Sequence, residues 1–285
     1  MNGIILIDKP KEYTSHDVVA VIKKISKEKV GHTGTLDPNA TGVLPLLIGK
    51  ATGISKHLIN HDKTYIATLK LGLKTDTADV EGNVIEEKEV PELSEELVIK
   101  ALNSMIGKQT QLPPMYSAIK VNGKKLYEYA RQGKTVEVKG RDIEIYDMKL
   151  LELNLKEAEI IFEISCSKGT YIRTVCENVA EKLSTVGYMK ELRRIKVGEF
   201  DIKDSINIEE IKNNKNLLEK KIITIENFFK NKQEIKLNDK ELQLFLNGVM
   251  ITKKYSEGIY RIYNNDKFIG LGIISNNKLK RDIII

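Results

Sequence analysis

The chain has 285 residues, enough for one large domain or two, and its 41% hydrophobic content is sufficient for a sizeable core. A formal net charge of +6, from 46 Lys plus Arg against 40 Asp plus Glu, permits a polyanionic partner without requiring one. Cys166 and Cys176 form neither a CxxC pair nor a disulfide framework, and no segment has the pattern of a secretory signal or a membrane span. We therefore expect a soluble cytoplasmic protein with no membrane contact.

Hydrophobic periodicity and turn residues predict alternating strands and helices over most of the chain. In chain order, the first half is predicted to begin with a strand over 4–7 and a turn at Asp8–Pro10. A helix follows, capped by Thr14 or Ser15 and stopped by Gly31, and then a strand over 43–48 and a helix from Gly49 to Ile59. Strands over 64–71 and 84–87 and a helix from Ser94 complete this half. The second half is predicted to form a hairpin from Ala118 with its turn at Asn122–Gly123, a helix over 126–132, strands over 136–138, 143–155 and 158–166, a helix after Tyr171, and a strand over 192–200 that opens with Arg193-Arg194.

The end of the chain differs in pattern from the rest. Residues 213–216 are rich in asparagine and lysine, and we place a domain boundary near Asn231. Beyond it, a short helix over 241–246 precedes three turn-separated strands. This pattern predicts a small β-rich domain over 231–285 that follows a larger domain over 1–230.

Common cofactor and metal motifs do not fit. His57 and His61 stand four residues apart, but no third ligand follows in a zinc-type pattern, so a solvated pair is expected. Ser15-His16-Asp17 has the letters of a catalytic triad, yet adjacent residues do not have triad geometry, and a helix start is expected instead. Residues 42–51 lack the glycine spacing and final Ser or Thr of a phosphate loop, and no GxGxxG follows a strand.

The loop Gly31–Gly42, with sequence GHTGTLDPNATG, carries the single carboxylate Asp37 between two apolar segments. Taken one at a time, Asp37, Tyr65, Tyr171 and Arg173 have ordinary explanations as a turn cap, core tyrosines and a surface arginine. Together they would combine an ionised carboxylate, a cation that orients it, and aromatic faces that suit a nucleobase. An oriented carboxylate of this kind serves as a nucleophile or a base.

Six segments of the chain resemble the bacterial tRNA pseudouridine(55) synthases. They are GIILIDKP from Gly3, GHTGTLDPNATG from Gly31, DKTYIATLKLG with TDTADVEG from Asp62, LPPMYSAIKVNGKKLYEYARQG from Leu112, CSKGTYIRT from Cys166 and LRRIKVGEF from Leu192. The final part of the chain resembles the small PUA-type RNA-binding domain of that family. The resemblance implies an α+β fold, with a mixed, largely antiparallel central sheet flanked by helices and a C-terminal β-rich PUA-like domain.

The resemblance also implies an activity, the isomerisation of one uridine in the T-loop of tRNA. Asp37 matches the family's catalytic nucleophile, and Arg173 matches the arginine that pairs with it. Tyr65 matches the tyrosine that stacks on the target base and assists the late proton removal. Substrate and product of this reaction are isomers, so it requires no redox cofactor, metal or ATP. Whether Asp37 attacks the ribose or the ring stays open.

Four further residues match the family's substrate-binding positions. His32 matches the histidine that enters the T-loop where the flipped base had been, and Tyr171 and Leu192 match residues that line the uridine pocket. Lys9, with the proline that follows it, matches a segment that supports the active site. One departure is visible, because Glu12 stands close after this segment where the family usually has glycine.

The expected partner is the tRNA T-stem-loop, bound by a monomer without a guide RNA or partner protein. Two other functions stay open. An RNA-folding module would bind tRNA and flip the base with little catalysis. A guide-dependent synthase of ribonucleoprotein complexes would share the catalytic motifs, but residues 113–133 resemble the stand-alone bacterial type.

Overall fold

The computed structural model describes residues 1–59, 61–117 and 119–285. The strands are β1 Gly3–Lys9, β2 Val30–His32, β3 Thr41–Ile48, β4 Lys63–Leu71, β5 Leu73–Thr75, β6 Val84–Glu87, β7 Gly107–Gln111, β8 Lys120–Val121, β9 Lys124–Lys125, β10 Arg141–Asn154, β11 Glu159–Cys166, β12 Gly187–Val197, β13 Phe200–Asp201, β14 Ile206–Asn207, β15 Glu234–Lys236, β16 Ile251–Thr252, β17 Gly258–Asn264, β18 Lys267–Ser275 and β19 Lys278–Ile284. The helices are α1 Ser15–Ser26, α2 Ser55–Leu58, α3 Glu95–Asn103, α4 Leu126–Ala130, α5 Ile172–Lys182, α6 Ile208–Asn213, α7 Asn216–Lys221, α8 Ile225–Phe228 and α9 Asp239–Leu246, with 3₁₀ turns at Gly49–Ile54 and Ile202–Asp204.

The chain forms two compact units. Unit 1 comprises Met1–Asp37, Leu44–Ile59 and Asp204–Ile285, and unit 2 comprises Pro38–Val43 and Asn60–Lys203. No helix within the described ranges is both long and apolar enough to cross a membrane.

Unit 2 is built on antiparallel ladders in the order β12-β4-β11-β10-β7. The first residues of β3 pair with β12 in parallel, so the sheet is mixed. Alternating apolar residues of β4 and β11 are fully buried, as are those of α5 that pack beside them. Gly187 permits this packing, because a Cβ there would lie only 3.0 Å from the Cβ of Ala180 in α5.

Two β-bulges interrupt the pairing of β12 with β4. One lies between Met189 and Glu191, and the other lies between Arg194 and Lys196. A bulge places one extra residue on its strand, which reverses the face taken by every residue that follows it. Between the bulges Arg194 is therefore the direct neighbour of Tyr65.

In unit 1, β1 lies between β14 and β3, and α1 packs beside them. The core joins buried residues from β1, α1, the second half of β3 and α6, represented by Ile7, Ile22, Leu46 and Ile211. The last residues of the chain add a separate five-stranded sheet in the order β15-β17-β18-β19-β16. Its own core includes Phe245 of α9, so a small β-rich element is present where the sequence pattern predicted one.

Most predicted elements are confirmed within a few residues, but several details are wrong. Asp8 and Lys9 continue β1, and the turn comes later at Lys11 and Glu12. Helix α1 ends at Ser26, before Gly31, which lies in β2. The strand predicted over 192–200 begins five residues earlier, at Gly187. Ala118, the predicted start of the hairpin, lies outside the described residues.

The strand predicted over 136–138 is absent, because the valines there find no strand to pair with. Several short strands, namely β2, β5, β7, β14, β15 and β16, and the helices α6, α7 and α8 were not predicted. These helices have six residues or fewer, so their hydrophobic repeat is too short to recognise.

Candidate active site

The backbone just before Asp37 is fixed by helix α1. The buried hydroxyl of Ser15, the first residue of α1, accepts a hydrogen bond from the Leu36 amide at 2.9 Å and donates one to the Leu36 carbonyl at 3.2 Å. The side chain of Leu36 is itself buried. One oxygen atom thus satisfies both backbone groups of Leu36. Asp37, which follows this anchored residue, is half-buried.

The start of α1 confirms the expected helix cap. The Thr14 hydroxyl accepts from the Asp17 amide at 3.1 Å, and the Asp17 carboxylate accepts from the Thr14 amide at 2.8 Å. This capping box gives the Thr14 amide a partner, and gives the Asp17 amide a second acceptor beside the Thr14 carbonyl. The hydrogen bond from the Thr14 hydroxyl is the main cause that lowers the pKa of Asp17. Asp17 is therefore a structural acid rather than a member of a triad.

His32 lies at the end of β2, in the segment that leads to Asp37. Its ring meets the ring of His16 edge to face, with centroids 5.6 Å apart and planes at 75°. Aromatic pairs favour this arrangement, in which the edge of one ring meets the face of the other. His16 thus supports the imidazole that the family resemblance assigns to the RNA.

Lys9 is completely buried at the end of β1. Its ammonium donates to the carbonyl of Pro10 at 2.9 Å and to the carbonyl of Tyr13 at 2.5 Å. The chain between these carbonyls turns through Glu12, whose φ of 70° is left-handed. The usual glycine of the family fits such a φ, and here a residue with a Cβ adopts it. The ammonium of Lys9 therefore holds a strained turn closed.

Tyr65, on β4, is buried with 7% of its surface exposed, and its hydroxyl accepts a hydrogen bond from the Arg194 guanidinium. Arg194 is 1% exposed and also donates through Nε to the Val43 carbonyl at 2.9 Å. Burial lowers the pKa of Arg194, and Tyr65 counteracts part of this shift. The sequence prediction missed this role, because the pattern marks Arg194 only as part of the opening of a strand.

Arg173 lies in the first turn of α5 and is 6% exposed. Its guanidinium lies 3.4 Å from the Asp79 carboxylate and donates to the carbonyls of Thr77 at 3.2 Å and Tyr116 at 2.9 Å. These three partners come from two separate loops of unit 2. The guanidinium is thereby fixed in a specific orientation, as a residue that must orient another group requires.

Tyr171 and Leu192 occupy defined positions in unit 2. The Gln111 side-chain amide accepts from the Tyr171 amide at 2.8 Å and donates to the Tyr171 carbonyl at 3.1 Å, which fixes the residue before α5. Gln111 is buried, and no sequence motif had pointed to it. Leu192 pairs with Ala67, two residues along β4 from Tyr65, so Leu192 and Tyr65 share one face of the sheet.

The seven predicted site residues divide between the two units. Lys9, His32 and Asp37 belong to unit 1. The other four belong to unit 2, namely Tyr65, Tyr171, Arg173 and Leu192. Within each unit, every one of these residues is at least half-buried.

The predicted solvated state of His57 is wrong. Its Nε2 lies 2.7 Å from the Asp282 carboxylate of β19, and its ring meets Phe229 edge to face. The Lys56 ammonium contacts the same carboxylate. Among residues 1–59, 61–117 and 119–285, no three His, Cys, Asp or Glu side chains converge as a metal site would require.

Three family models match consecutive parts of the chain. The model of the N-terminal domain of TruB family pseudouridylate synthases matches residues 23–172, and that of the tRNA pseudouridylate synthase B C-terminal domain matches 173–230. A model described as pseudouridine synthase II TruB, C-terminal, matches 234–280. The chain belongs to the TruB family of pseudouridylate synthases. The family predicted from the sequence motifs is thus confirmed.

Curated relatives of this family resemble the chain over nearly its whole length. The tRNA pseudouridine synthase B of Clostridium tetani is 46% identical over 279 residues, which cover 95% of each chain. The enzyme of the same name from Francisella tularensis (strain WY96-3418) is 41% identical over 285 residues, 98% of this chain and 93% of that one.

Two solved structures share the fold of this chain. A chain in a Cbf5-Nop10-Gar1 complex superposes with a TM-score of 0.68 at 25% identity, over 95% of this chain and 78% of that one. A chain of an H/ACA RNP bound to a substrate RNA containing 2'-deoxyuridine gives 0.69 at 22% identity, over 99% and 84%. The predicted pseudouridine synthase fold is confirmed, with its mixed, largely antiparallel sheet, flanking helices and C-terminal PUA-like domain.

Proposed function

We propose that this protein is an isomerase that converts uridine to pseudouridine at position 55, in the T-loop of tRNA. The observation that carries the proposal is the 46% identity, over 95% of both chains, with a curated tRNA pseudouridine synthase B. A match of this length includes both units of the chain, and therefore both groups of predicted site residues. The substrate is therefore tRNA, and the protein is an enzyme.

The target uridine leaves the RNA stack before it reacts. Extracting a base costs about a few kcal/mol in lost stacking. Stacking on the ring of Tyr65 offsets part of this cost, since a base on an aromatic side chain gains roughly 1–3 kcal/mol. The hydrogen bond from Arg194 to the Tyr65 hydroxyl supports this role, because it holds the ring at one position on β4.

Asp37 acts as the nucleophile of the isomerisation. Asp37 forms a bond to the ribose or to the ring, the N1–C1′ bond breaks, the base rotates, and a C5–C1′ bond forms. The bond to Asp37 then breaks again, C5 loses its hydrogen as a proton, and N1 gains one. Attack of Asp37 at the ribose and attack at the ring both lead to the same overall set of bonds broken and formed. The anchored Leu36 backbone supports the assignment, because a nucleophile must be held at a defined distance from its target.

The remaining residues position the reactants. Arg173 orients the Asp37 carboxylate, and Tyr65 assists the final removal of the C5 proton. His32 fills the gap that the base leaves in the T-loop, and Tyr171 and Leu192 line the uridine pocket. Lys9 supports the loop that follows β1, as its two carbonyl contacts suggest.

We further propose that residues 1–230 form the catalytic domain and residues 231–285 a PUA-like RNA-binding domain. The protein acts in the cytoplasm as a monomer, without a guide RNA or partner protein. The names of the curated relatives support the stand-alone form, since each is named for tRNA rather than for an assembly.

Release of tritium from C5 of uridine tests the activity directly. The wild-type protein should release tritium from a labelled tRNA transcript with no other protein present. Asp37→Asn should lower the rate by at least about 10³-fold, because loss of a nucleophile removes the covalent step. Asp142→Asn, an exposed carboxylate on β10, is the matched control and should keep the wild-type rate.

Two results would refute these assignments. If the wild type releases no tritium from the transcript alone, the stand-alone enzyme is excluded. An RNA-folding module would then still bind the transcript, and a guide-dependent enzyme would become active only in the presence of added guide RNA and partners. If Asp37→Asn reacts at the wild-type rate, Asp37 is not the nucleophile.

A further inference from the structure

The side chain of Asn39 joins the segment that follows Asp37 to the loop between β5 and β6, residues 76–83. Its amide nitrogen donates a hydrogen bond to the Glu81 carboxylate at 2.7 Å. Asn39 is half-buried, whereas Glu81 is exposed, and both belong to unit 2, which the chain enters at Pro38. We call this hydrogen bond the Asn39–Glu81 link. It connects two stretches of chain that are distant in sequence.

The loop that carries Glu81 is closed at its base and attached to the sheet. The Asp76 carboxylate accepts from the Asn83 amide at 2.9 Å, and the Asp76 amide donates to the Asn83 carbonyl at 3.1 Å. The Ala78 carbonyl accepts from the Met189 amide of β12 at 3.1 Å. Because its backbone is held at these points, the loop gives Glu81 a fixed place from which to hold Asn39.

The Asp79 carboxylate connects Glu81 to Arg173. One of its oxygens, Oδ1, accepts from the Glu81 amide at 3.1 Å, and the other, Oδ2, lies 3.4 Å from the Arg173 guanidinium. The side chain of Glu81 in turn accepts from Asn39. A continuous series of polar contacts within unit 2 therefore leads from Arg173 to the segment that follows Asp37.

The backbone of Asp37 lies between two held residues. On its N-terminal side, the Ser15 hydroxyl binds both backbone groups of Leu36. On its C-terminal side, the ring of Pro38 fixes φ, and the next residue, Asn39, is held by the Asn39–Glu81 link. Loss of the link would release one end of this short span, and the Asp37 carboxylate would gain freedom to move.

We infer that Asn39 and Glu81 are positioning residues of the isomerisation, which set where the Asp37 carboxylate lies relative to the Arg173 guanidinium. The inference rests on the proposed function, in which Arg173 orients Asp37. A small displacement of a reacting group lowers the rate of a well-positioned reaction. Affinity for tRNA, in contrast, comes largely from contacts with many phosphates. Loss of the link should therefore slow the reaction without weakening tRNA binding.

Reversal of the hydrogen bond tests this role. Asn39→Asp places a second carboxylate against Glu81 and should lower the rate of tritium release about 2- to 10-fold, measured in a single turnover with the protein in excess over tRNA. The double variant Asn39→Asp/Glu81→Gln exchanges donor and acceptor and keeps the length and net charge of the pair. The hydrogen bond can then form again, and the rate should return to that of the wild type.

Two further variants complete the experiment. Asn39→Ala removes the donor without adding a charge, and it should also lower the single-turnover rate while the Kd for an unmodified tRNA transcript, by filter binding, stays unchanged. Glu86→Gln is the matched control, because Glu86 is an exposed carboxylate on β6, and this variant should keep the wild-type rate. Thermal unfolding shows which variants are folded, and Asn39→Ala supplies the test if Asn39→Asp does not fold.

Failure of this inference differs from failure of the proposed function. If the wild type releases no tritium, the function is wrong and the positioning role fails with it. If the wild type is active and the folded Asn39→Asp and Asn39→Ala variants react at its rate, the positioning role alone is wrong. A slow Asn39→Asp variant that Glu81→Gln does not restore also contradicts the role. A restored rate, with Kd unchanged in Asn39→Ala, supports it.

Discussion

Lys9 in unit 1 and Arg194 in unit 2 are both almost completely buried, and the two cations are used differently. In unit 1 the ammonium of Lys9, itself a predicted site residue, binds two carbonyls of the turn that follows β1. In unit 2 the guanidinium of Arg194 binds one carbonyl and the hydroxyl of Tyr65. Lys9 therefore fixes a backbone, whereas Arg194 fixes a side chain.

The chemistry of the two cations explains this difference. An ammonium is a compact charge that can donate in several directions, so it suits two carbonyls of one turn. A guanidinium is a planar fork whose donors diverge at fixed angles, so it can hold a strand and a side chain together. We expect substitution of Arg194 to affect catalysis directly, and substitution of Lys9 to act through the shape of a loop.

The largest effect is expected from Arg194→Met. This change leaves the Val43 carbonyl and the Tyr65 hydroxyl without their buried donor, which costs about 3 kcal/mol of unfolding free energy. The rate of tritium release should fall as well, because the Tyr65 ring loses its support. Arg193→Met is the control, since Arg193 is half-buried and donates to the Thr41 hydroxyl at 3.3 Å. Equal losses in the two variants, by urea unfolding and by rate, would contradict the role given to Arg194.

Lys9→Met should cost less, about 2 kcal/mol, because both acceptors are main-chain carbonyls close to the surface that water can partly satisfy. The turn should become more mobile, and proteolysis within residues 10–13 should be faster. Lys11→Met, an exposed neighbour, should change the unfolding free energy by less than about 0.5 kcal/mol. A Lys9→Met protein whose turn is cut no faster than the wild type would show that the ammonium does not hold it.

Asp282 gives an anionic counterpart in unit 1, since its carboxylate binds the side chains of His57 and Lys56. Burial raises the pKa of Asp282, but these hydrogen bonds outweigh that effect and lower it overall. A lowered pKa contributes stability above the unfolded value near 3.8, and this stability is lost as the pH falls through the folded value. Asp282→Asn should cost about 1–2 kcal/mol at neutral pH, and less in acid. Urea titrations at several pH values measure the unfolding free energy that Asp282→Asn loses. A loss that is the same at every pH would contradict the lowered pKa of Asp282.

The smallest effect is a gain in stability. Glu12 has a φ of 70°, which costs a residue with a Cβ about 1 kcal/mol or more. Glu12→Gly relieves this strain but adds freedom to the unfolded chain, for a net gain of about 0.5 kcal/mol. The melting temperature should rise by about 1 to 2 °C. Lys11→Gly, at a position without positive φ, should lower the melting temperature. A lower melting temperature for both variants would show that the turn is unstrained.

Much of the fold was predictable because long elements carry a clear period. β4, β11 and α5 repeat their apolar residues over eight or more positions, and each was placed correctly. The motifs also identified the family. They could not supply the partners of each site residue, since Gln111 reaches Tyr171 across 60 positions of sequence.

Arg194 was missed for a different reason. If side chains alternated strictly along β12, Lys190, Leu192 and Arg194 would all point to one face of the sheet. The two bulges instead divide the strand into three segments, and the alternation is reversed from one segment to the next. Only the pairing with β4 shows that Arg194, not Arg193, is the neighbour of Tyr65. Bulges are set by pairing with another strand, and the sequence of one strand does not contain that information.

The extra residues of the two bulges also decide where β12 can change in length during evolution. The register with β4 steps over Lys190 and Ile195, so loss of either codon would remove a bulge and leave the pairs on both sides of it intact. Loss of the codon for Leu192 would instead shift the pairing on one side of the deletion by one position. A charged residue would then take the place of Leu192 opposite Ala67, or Arg194 would no longer pair with Tyr65. We therefore expect related sequences to lose codons at residues 190 and 195, and to differ only by substitution between them.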